Sequence, residues 1–131
     1  MYYQKSNAII FVYDITNSDS YQNLKKLYNE VGELIDIKKV KTIIVGNKND
    51  MYLKEVIKKN EAEQYAKSIQ SIYRCVSAKE GKGINELFDC VAKSLLNNDE
   101  KESNTEVPSK EKKEEFALQN QSKKKKKKKC C

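Results

Sequence analysis

Thr42-Ile43-Ile44-Val45-Gly46-Asn47-Lys48-Asn49-Asp50 is the stretch on which the reading of this chain turns. Its first four residues form a short, β-branched, uninterrupted apolar run, the pattern of a strand buried on both faces. The run stops at a glycine and gives way to an amide, a lysine, a second amide and a carboxylate. Upstream, Ala8-Ile9-Ile10-Phe11-Val12-Tyr13 is a run of the same kind, and downstream Ile72-Tyr73-Arg74-Cys75-Val76 is a weaker third. Helical periods lie between them. Tyr21, Leu24, Tyr28, Val31, Leu34 and Ile35 make one amphipathic stripe, preceded by the capping side chains of Thr16-Asn17-Ser18-Asp19-Ser20. Asn60-Glu61-Ala62-Glu63 reads as a capping box that opens a second helix, with Ala62, Tyr65, Ala66 and Ile69 as its stripe. After Gly81 and Gly83, the residues Ile84, Leu87, Phe88, Val91, Ala92, Leu95 and Leu96 give the cleanest helical period of all. Strand, helix, strand, helix, strand, helix predicts an α/β fold. It has three parallel strands, joined by right-handed crossovers through helices on the sheet faces.

The apolar residues cluster between Tyr2 and Leu96, so the 131-residue chain is expected to form its core from residues 1–97, a small size for one domain. Charge divides at the same place. Residues 1–97 hold 15 Lys+Arg against 12 Asp+Glu, and residues 98–122 hold 4 against 7. Residues 123–131 hold seven lysines and no acid, so the net charge of +7 reflects one terminal block rather than a basic globular face. Residues 98–122 are polar, acidic and aperiodic, and read as a disordered linker with one small apolar island at Phe116-Ala117-Leu118. There is no histidine, and the four cysteines show no zinc-ligand spacing. Cys75 and Cys90 sit in apolar-periodic segments and are expected in the core. No signal peptide is visible, and no apolar run approaches the ~18 residues of a membrane span.

In open parallel sheets, ligands bind beyond the carboxyl ends of the strands. Two of the three strands end in Asn47-Lys48-Asn49-Asp50 and in Ser77-Ala78-Lys79, which adjacent strands would bring side by side. Guanine presents N1–H and N2–H₂ as two donors on one edge, which the carboxylate of Asp50 can accept together. Its O6 needs a donor, for which the Ala78 backbone N–H is a candidate. Asn47 can bridge the loops through Ser77 and reach the base edge. The stems of Lys48 and Lys79 can cover the two ring faces with their ammonium groups outward. Adenine reverses the donor pattern and would be rejected. A simple Asx turn after a strand is the plainer reading of Asn47 and Asp50.

Asn-Lys-x-Asp after a buried strand, with Ser-Ala-Lys about 30 residues later, resembles the guanine-specificity pair of Ras-superfamily GTPases. Within that superfamily, Tyr2-Tyr3, Tyr13-Asp14-Ile15-Thr16 and Ser20-Tyr21 resemble the Rab group. The resemblance covers residues 1–97 and the last two residues. It implies the C-terminal half of a P-loop GTPase (Rossmann-like) fold, GTP/GDP as ligand, and Mg²⁺ in the complete family fold. It also implies a switch role in vesicle-mediated membrane traffic, with an exchange factor, a GTPase-activating protein, a prenylation escort and effectors as partners.

The chain departs from the family at its start. It contains no Gly-x-x-x-x-Gly-Lys-Ser/Thr loop, first-switch threonine, Asp-x-x-Gly metal ligand or catalytic glutamine, the groups that hold phosphates, metal and attacking water. No catalytic residue and no metal ligand is therefore assigned in this chain. A truncated or mis-started sequence is expected, one that an upstream extension of roughly 60–75 residues carrying a P-loop would complete. The alternative is a non-enzymatic, lipid-anchored binding module derived from a Rab GTPase.

Lys123–Lys129 followed by Cys130-Cys131 resembles the dual prenylation tail of Rab proteins, although it is not a four-residue prenyl box. Two lipid chains, or one with a basic patch, anchor stably. The chain is thus expected on the cytoplasmic face of endosomal or secretory membranes. Polylysine also binds nucleic acid without specificity, but no specific nucleic-acid partner is expected.

Overall fold

The computed structural model describes residues 2–102, and the side chains up to Asn97. The elements follow the expected order. Strand β1 spans Ala8–Asp14, helix α1 Ser18–Leu34, β2 Lys41–Asn47, α2 Lys59–Ser68, β3 Ile72–Cys75 and α3 Ile84–Glu102. Short 3-10 stretches at Ile37–Lys39 and Asn49–Lys54 flank β2. The sheet is parallel in the order β1-β2-β3. Register pairs Asp14 with Asn47 and Gly46 with Cys75, so all three strands finish at one edge.

Alternation along the strands sorts the core into two layers. Phe11, Tyr13 and Ile44 turn toward Tyr21, Leu24 and Val31 of α1 and Ala62 and Ala66 of α2. Ile43 and Val45 turn the other way, onto Val76 and Leu87, with Ile10, Ile84 and Val91 packed around them. Helices α1 and α2 thus cover one face and α3 the other. One helix cannot cover three strands, so the regular helical period of α3 does not translate into burial. Of its long apolar stripe only Leu87 is fully buried, while Phe88 (58%) and Leu96 (64%) remain exposed, as does Val12 (55%) on β1. Among the described residues the outer edge of β1 pairs with no strand.

The caps divide in outcome. Asn17 is the N-cap of α1, its side-chain oxygen accepting from the Ser20 N–H at 3.1 Å. Asn60 does not cap α2, because the helix has already begun at Lys59, whose N–H donates to Glu55 Oε1 at 3.0 Å. The reason lies just upstream. The Val56 and Ile57 N–H groups both donate to the Ile15 carbonyl, pinning the chain there and bringing Glu55 under the first turn.

Gly46, the last residue before the polar loop, is required by close approach. A Cβ there would lie 2.9 Å from the Tyr73 hydroxyl oxygen and 3.0 Å from that of Tyr13. These two buried hydroxyls bond each other at 3.1 Å, beneath the end of β2. Burial pushes both phenols upward in pKa.

Candidate functional site

The site is assembled at the common carboxyl edge of β2 and β3. Their pairing continues past the strands, with the Val76 N–H on the Gly46 carbonyl at 2.9 Å and the Asn49 N–H on the Val76 carbonyl at 3.1 Å. Lys48 takes a left-handed conformation (φ 65°, ψ 35°), which turns the chain sharply between Asn47 and Asp50. The Met51 N–H closes that turn on the Lys48 carbonyl at 2.8 Å.

Side chains then stitch the two loops together. Asn47 Oδ1 accepts from the Ala78 N–H at 3.1 Å, and the Ser77 hydroxyl donates to Asp50 Oδ1 at 2.7 Å. Ser77 is 1% exposed and also accepts from the Glu80 N–H at 3.2 Å. Its backbone exchanges hydrogen bonds with Lys82, closing the loop that carries Ala78 and Lys79. Gly83, with φ +77°, follows at a point where a Cβ would strike the Cys75 carbonyl at 2.7 Å.

The sequence-predicted residues Asn47, Asp50, Ser77 and Ala78 are therefore in direct contact. The partners differ in one respect: Asn47 meets Ala78 rather than Ser77, and Ser77 is held by Asp50. Two groups of the expected base edge thus have a partner within the protein. Asp50 retains capacity, because an ionised carboxylate offers about four acceptor sites and Ser77 takes one. The Ala78 N–H must be shared or released for an incoming carbonyl. Lys48 and Lys79 are both exposed.

Sequence reasoning missed Asp14. It ends β1 directly opposite Asn47, and its Oδ2 lies 2.7 Å from Lys48 Nζ. Its Oδ1 accepts from both the N–H (2.8 Å) and the hydroxyl (2.6 Å) of Thr16. Partial desolvation pushes the Asp14 carboxyl up, but the bonds from Lys48 and Thr16 outweigh it and hold it below the usual carboxylate range. Asp14 thereby fastens the left-handed Lys48 to the neighbouring strand. The signal for it was the shared end of two strands, which needs the register to be read.

Cys90 is another correction. It is half-buried rather than in the core, and its sulfur accepts from Arg74 Nη2 at 3.3 Å. The residues present fit a guanine base, with a carboxylate, an amide and a backbone donor converging. Among the described residues no three acidic, cysteine or histidine side chains cluster closely enough to hold a metal. Cys130, Cys131 and Lys123–Lys129 lie outside the described residues. No helix among the described residues is long and apolar enough to cross a membrane.

The chain is similar to known proteins over the same residues. The sequence model of the Ras family matches residues 1–97. Human "Ras-related protein Rab-21" is 38% identical over 96 residues, covering 73% of this chain and 42% of that protein. The Rab-21 of Dictyostelium discoideum is 39% identical over 98 residues, covering 74% and 46%. Rat "Ras-related protein Rab-26" is 32% identical over 108 residues, covering 82% and 40%. The chain spans less than half the length of these relatives. By its family match, its parallel sheet and its paired loops, the chain belongs to the Ras family, as one of its Rab members.

Proposed function

We propose that this chain carries the base-reading half of a guanine-nucleotide switch that works on intracellular membranes. The supporting observation is the pairing of Asp50 with Ser77 and of Asn47 with Ala78, which fixes two loops from neighbouring strands at one edge. In this reading Asp50 accepts from N1–H and N2–H₂ of guanine, and the Ala78 N–H turns from Asn47 to O6. Asn47 keeps the loops in register, Asp14 holds Lys48, and the stems of Lys48 and Lys79 cover the ring faces. Base selection follows from unmatched polar groups, since adenine would set a donor against Ala78 and leave Asp50 without one.

Phosphate grip and hydrolysis belong to residues this sequence does not contain. GTP turnover, with exchange factor, activating protein, escort and effectors as partners, is accordingly proposed for a longer family fold. A second reading is a lipid-anchored binding module without catalysis, which Lys123–Lys129 and Cys130-Cys131 suit equally well. For either, Cys130 and Cys131 are the proposed lipidation sites and Lys123–Lys129 an electrostatic aid to anchoring on endosomal or secretory membranes.

Calorimetric titration of the 131-residue chain with guanosine, GDP and ATP tests the base reading. Guanosine and GDP are expected to bind with similar, weak affinity, because the base supplies the contacts, and ATP not at all. Equal heats from ATP and GDP would remove it. Mass spectrometry of the protein isolated from its own cells tests the tail, with two prenyl additions expected on Cys130 and Cys131.

A further inference from the structure

The end of the molecule away from these loops carries a feature that base reading does not use. Helix α3 starts at Ile84, just after the Ser77–Gly83 loop, and runs away from it. Asn97 lies 13 residues further on, roughly 20 Å along the axis. There the last turns of α3 face the 3-10 stretch Ile37–Lys39 and the start of β2. Between them is a cleft of about 400 Å³ whose walls include Lys38, Lys39, Lys41, Gln70 and Asn97. Three lysines and no acidic residue line it. Lys39 has a partner in Asp36 at 3.2 Å, but both side chains are well exposed (82% and 53%), so solvent screens that pair. Among the described residues no carboxylate comes within ion-pair distance of Lys38 or Lys41.

Such a cleft suits an anion with several oxygens, since three lysines and the amide-bearing Gln70 and Asn97 all line it. The anion's source follows from where the chain goes next. Helix α3 ends at Glu102, only five residues beyond the cleft, and the sequence then leads to Lys123–Lys129 and Cys130-Cys131. A cleft at the root of a membrane-directed tail meets the bilayer at high effective concentration once the tail is engaged, so a weak headgroup contact suffices. No aromatic ring lines the cleft, so it lacks the stacking platform that single-stranded nucleic acid would use.

We propose that this cleft binds the phosphate headgroup of an anionic phospholipid, docking the domain on the membrane by this pole with the base-reading loops turned away. The proposal rests on the tail being membrane-directed, and not on the assignment of the base loops.

The test uses the full 131-residue chain without lipid, mixed with vesicles of three parts phosphatidylcholine to one part phosphatidylserine. With the tail lysines intact, the double variant Lys38→Gln/Lys41→Gln is expected to lower vesicle partitioning roughly tenfold, about fivefold for each lysine less some screening. In a second chain with Lys123–Lys129 all changed to glutamine, the cleft loses its effective concentration, and the same pair is expected to change the little binding left far less than in the parent. Amide hydrogen exchange at residues 38–42 and 70–72 should slow on vesicles in the parent only. Partitioning unchanged by the Lys38/Lys41 pair in the chain with its tail intact would overturn the proposal. Equal slowing of exchange by inorganic phosphate without vesicles would also overturn it, by assigning the cleft to a free anion. A tail reading that is itself wrong would show instead as vesicle binding indifferent to the seven tail lysines.

Discussion

Replacing Asp14 separates its two duties, and the two replacements should differ by a calculable amount. Asp14→Asn keeps an oxygen for the Thr16 N–H and hydroxyl, at 2.8 and 2.6 Å in the parent, but removes the charge facing Lys48 at 2.7 Å. The Lys48 side chain is 51% exposed, so the ion pair is worth the surface value, under ~1 kcal/mol, with a few tenths more for weakened bonds to Thr16. The asparagine variant should thus lose about 1 kcal/mol. Asp14→Ala strands the Thr16 N–H as well, adding roughly 1–2 kcal/mol. For a domain of this size each kcal/mol moves Tm by about 4–8 °C, so the alanine variant should melt about 8–24 °C lower and the asparagine variant about 4–8 °C lower. Thermal melts followed by circular dichroism read both. The sign with pH is fixed by the lowered pKa. The stabilisation is fully present above the unfolded carboxylate pKa and is lost as pH falls through the lower folded value, so the parent should lose stability in acid more steeply than Asp14→Asn. Equal losses in the two variants, or an acid profile that Asp14→Asn leaves unchanged, would refute the assignment of Asp14 as the anchor of Lys48.

Two further substitutions probe the ground beneath the site. Tyr21 is fully buried, and its hydroxyl is the only buried side-chain polar atom without a hydrogen-bond partner among the described residues. Tyr21→Phe keeps the ring contacts with Tyr13 and Tyr65 and should raise stability by about 1 kcal/mol in urea unfolding, whereas a loss of that size would mean the hydroxyl has a partner after all. Gly46→Ala would drive a methyl into the Tyr13–Tyr73 hydroxyl pair and should cost about 1–3 kcal/mol, a cost that Tyr73→Phe partly relieves. Strictly additive effects in that double-mutant cycle would show the glycine is needed for some other reason.

Much of this was legible in the residues because two signals coincide. β-branched runs marked the strands, and the polar groups that interrupt them marked the edge where the strands end. That was enough to bring Asn47, Asp50, Ser77 and Ala78 together before any coordinates. What escaped shares one cause: periodicity says which side of an element is apolar, not what lies opposite it. Phe88 and Leu96 keep the helical period of α3 yet stand in the open, because α3 has only part of a sheet face to cover. Asp14 reads as the polar end of a strand until its register with Asn47 is known. Glu55 caps α2 from outside the local pattern, brought there by backbone bonds to Ile15 forty residues earlier, so the nearer Asn60 loses the role the sequence offers it.

The base-reading claim is tested most directly at one amide. In the ¹⁵N-labelled chain, the Ala78 N–H resonance should shift with guanosine and not with xanthosine, which carries an oxygen in place of the N2 amino group. In Asp50→Asn the preference should reverse, the new amide donating where the carboxylate accepted, at a binding difference of about 1.5–3 kcal/mol for the charged bonds exchanged. The same nucleoside preference in parent and variant, or an Ala78 amide that responds to neither, would contradict the account.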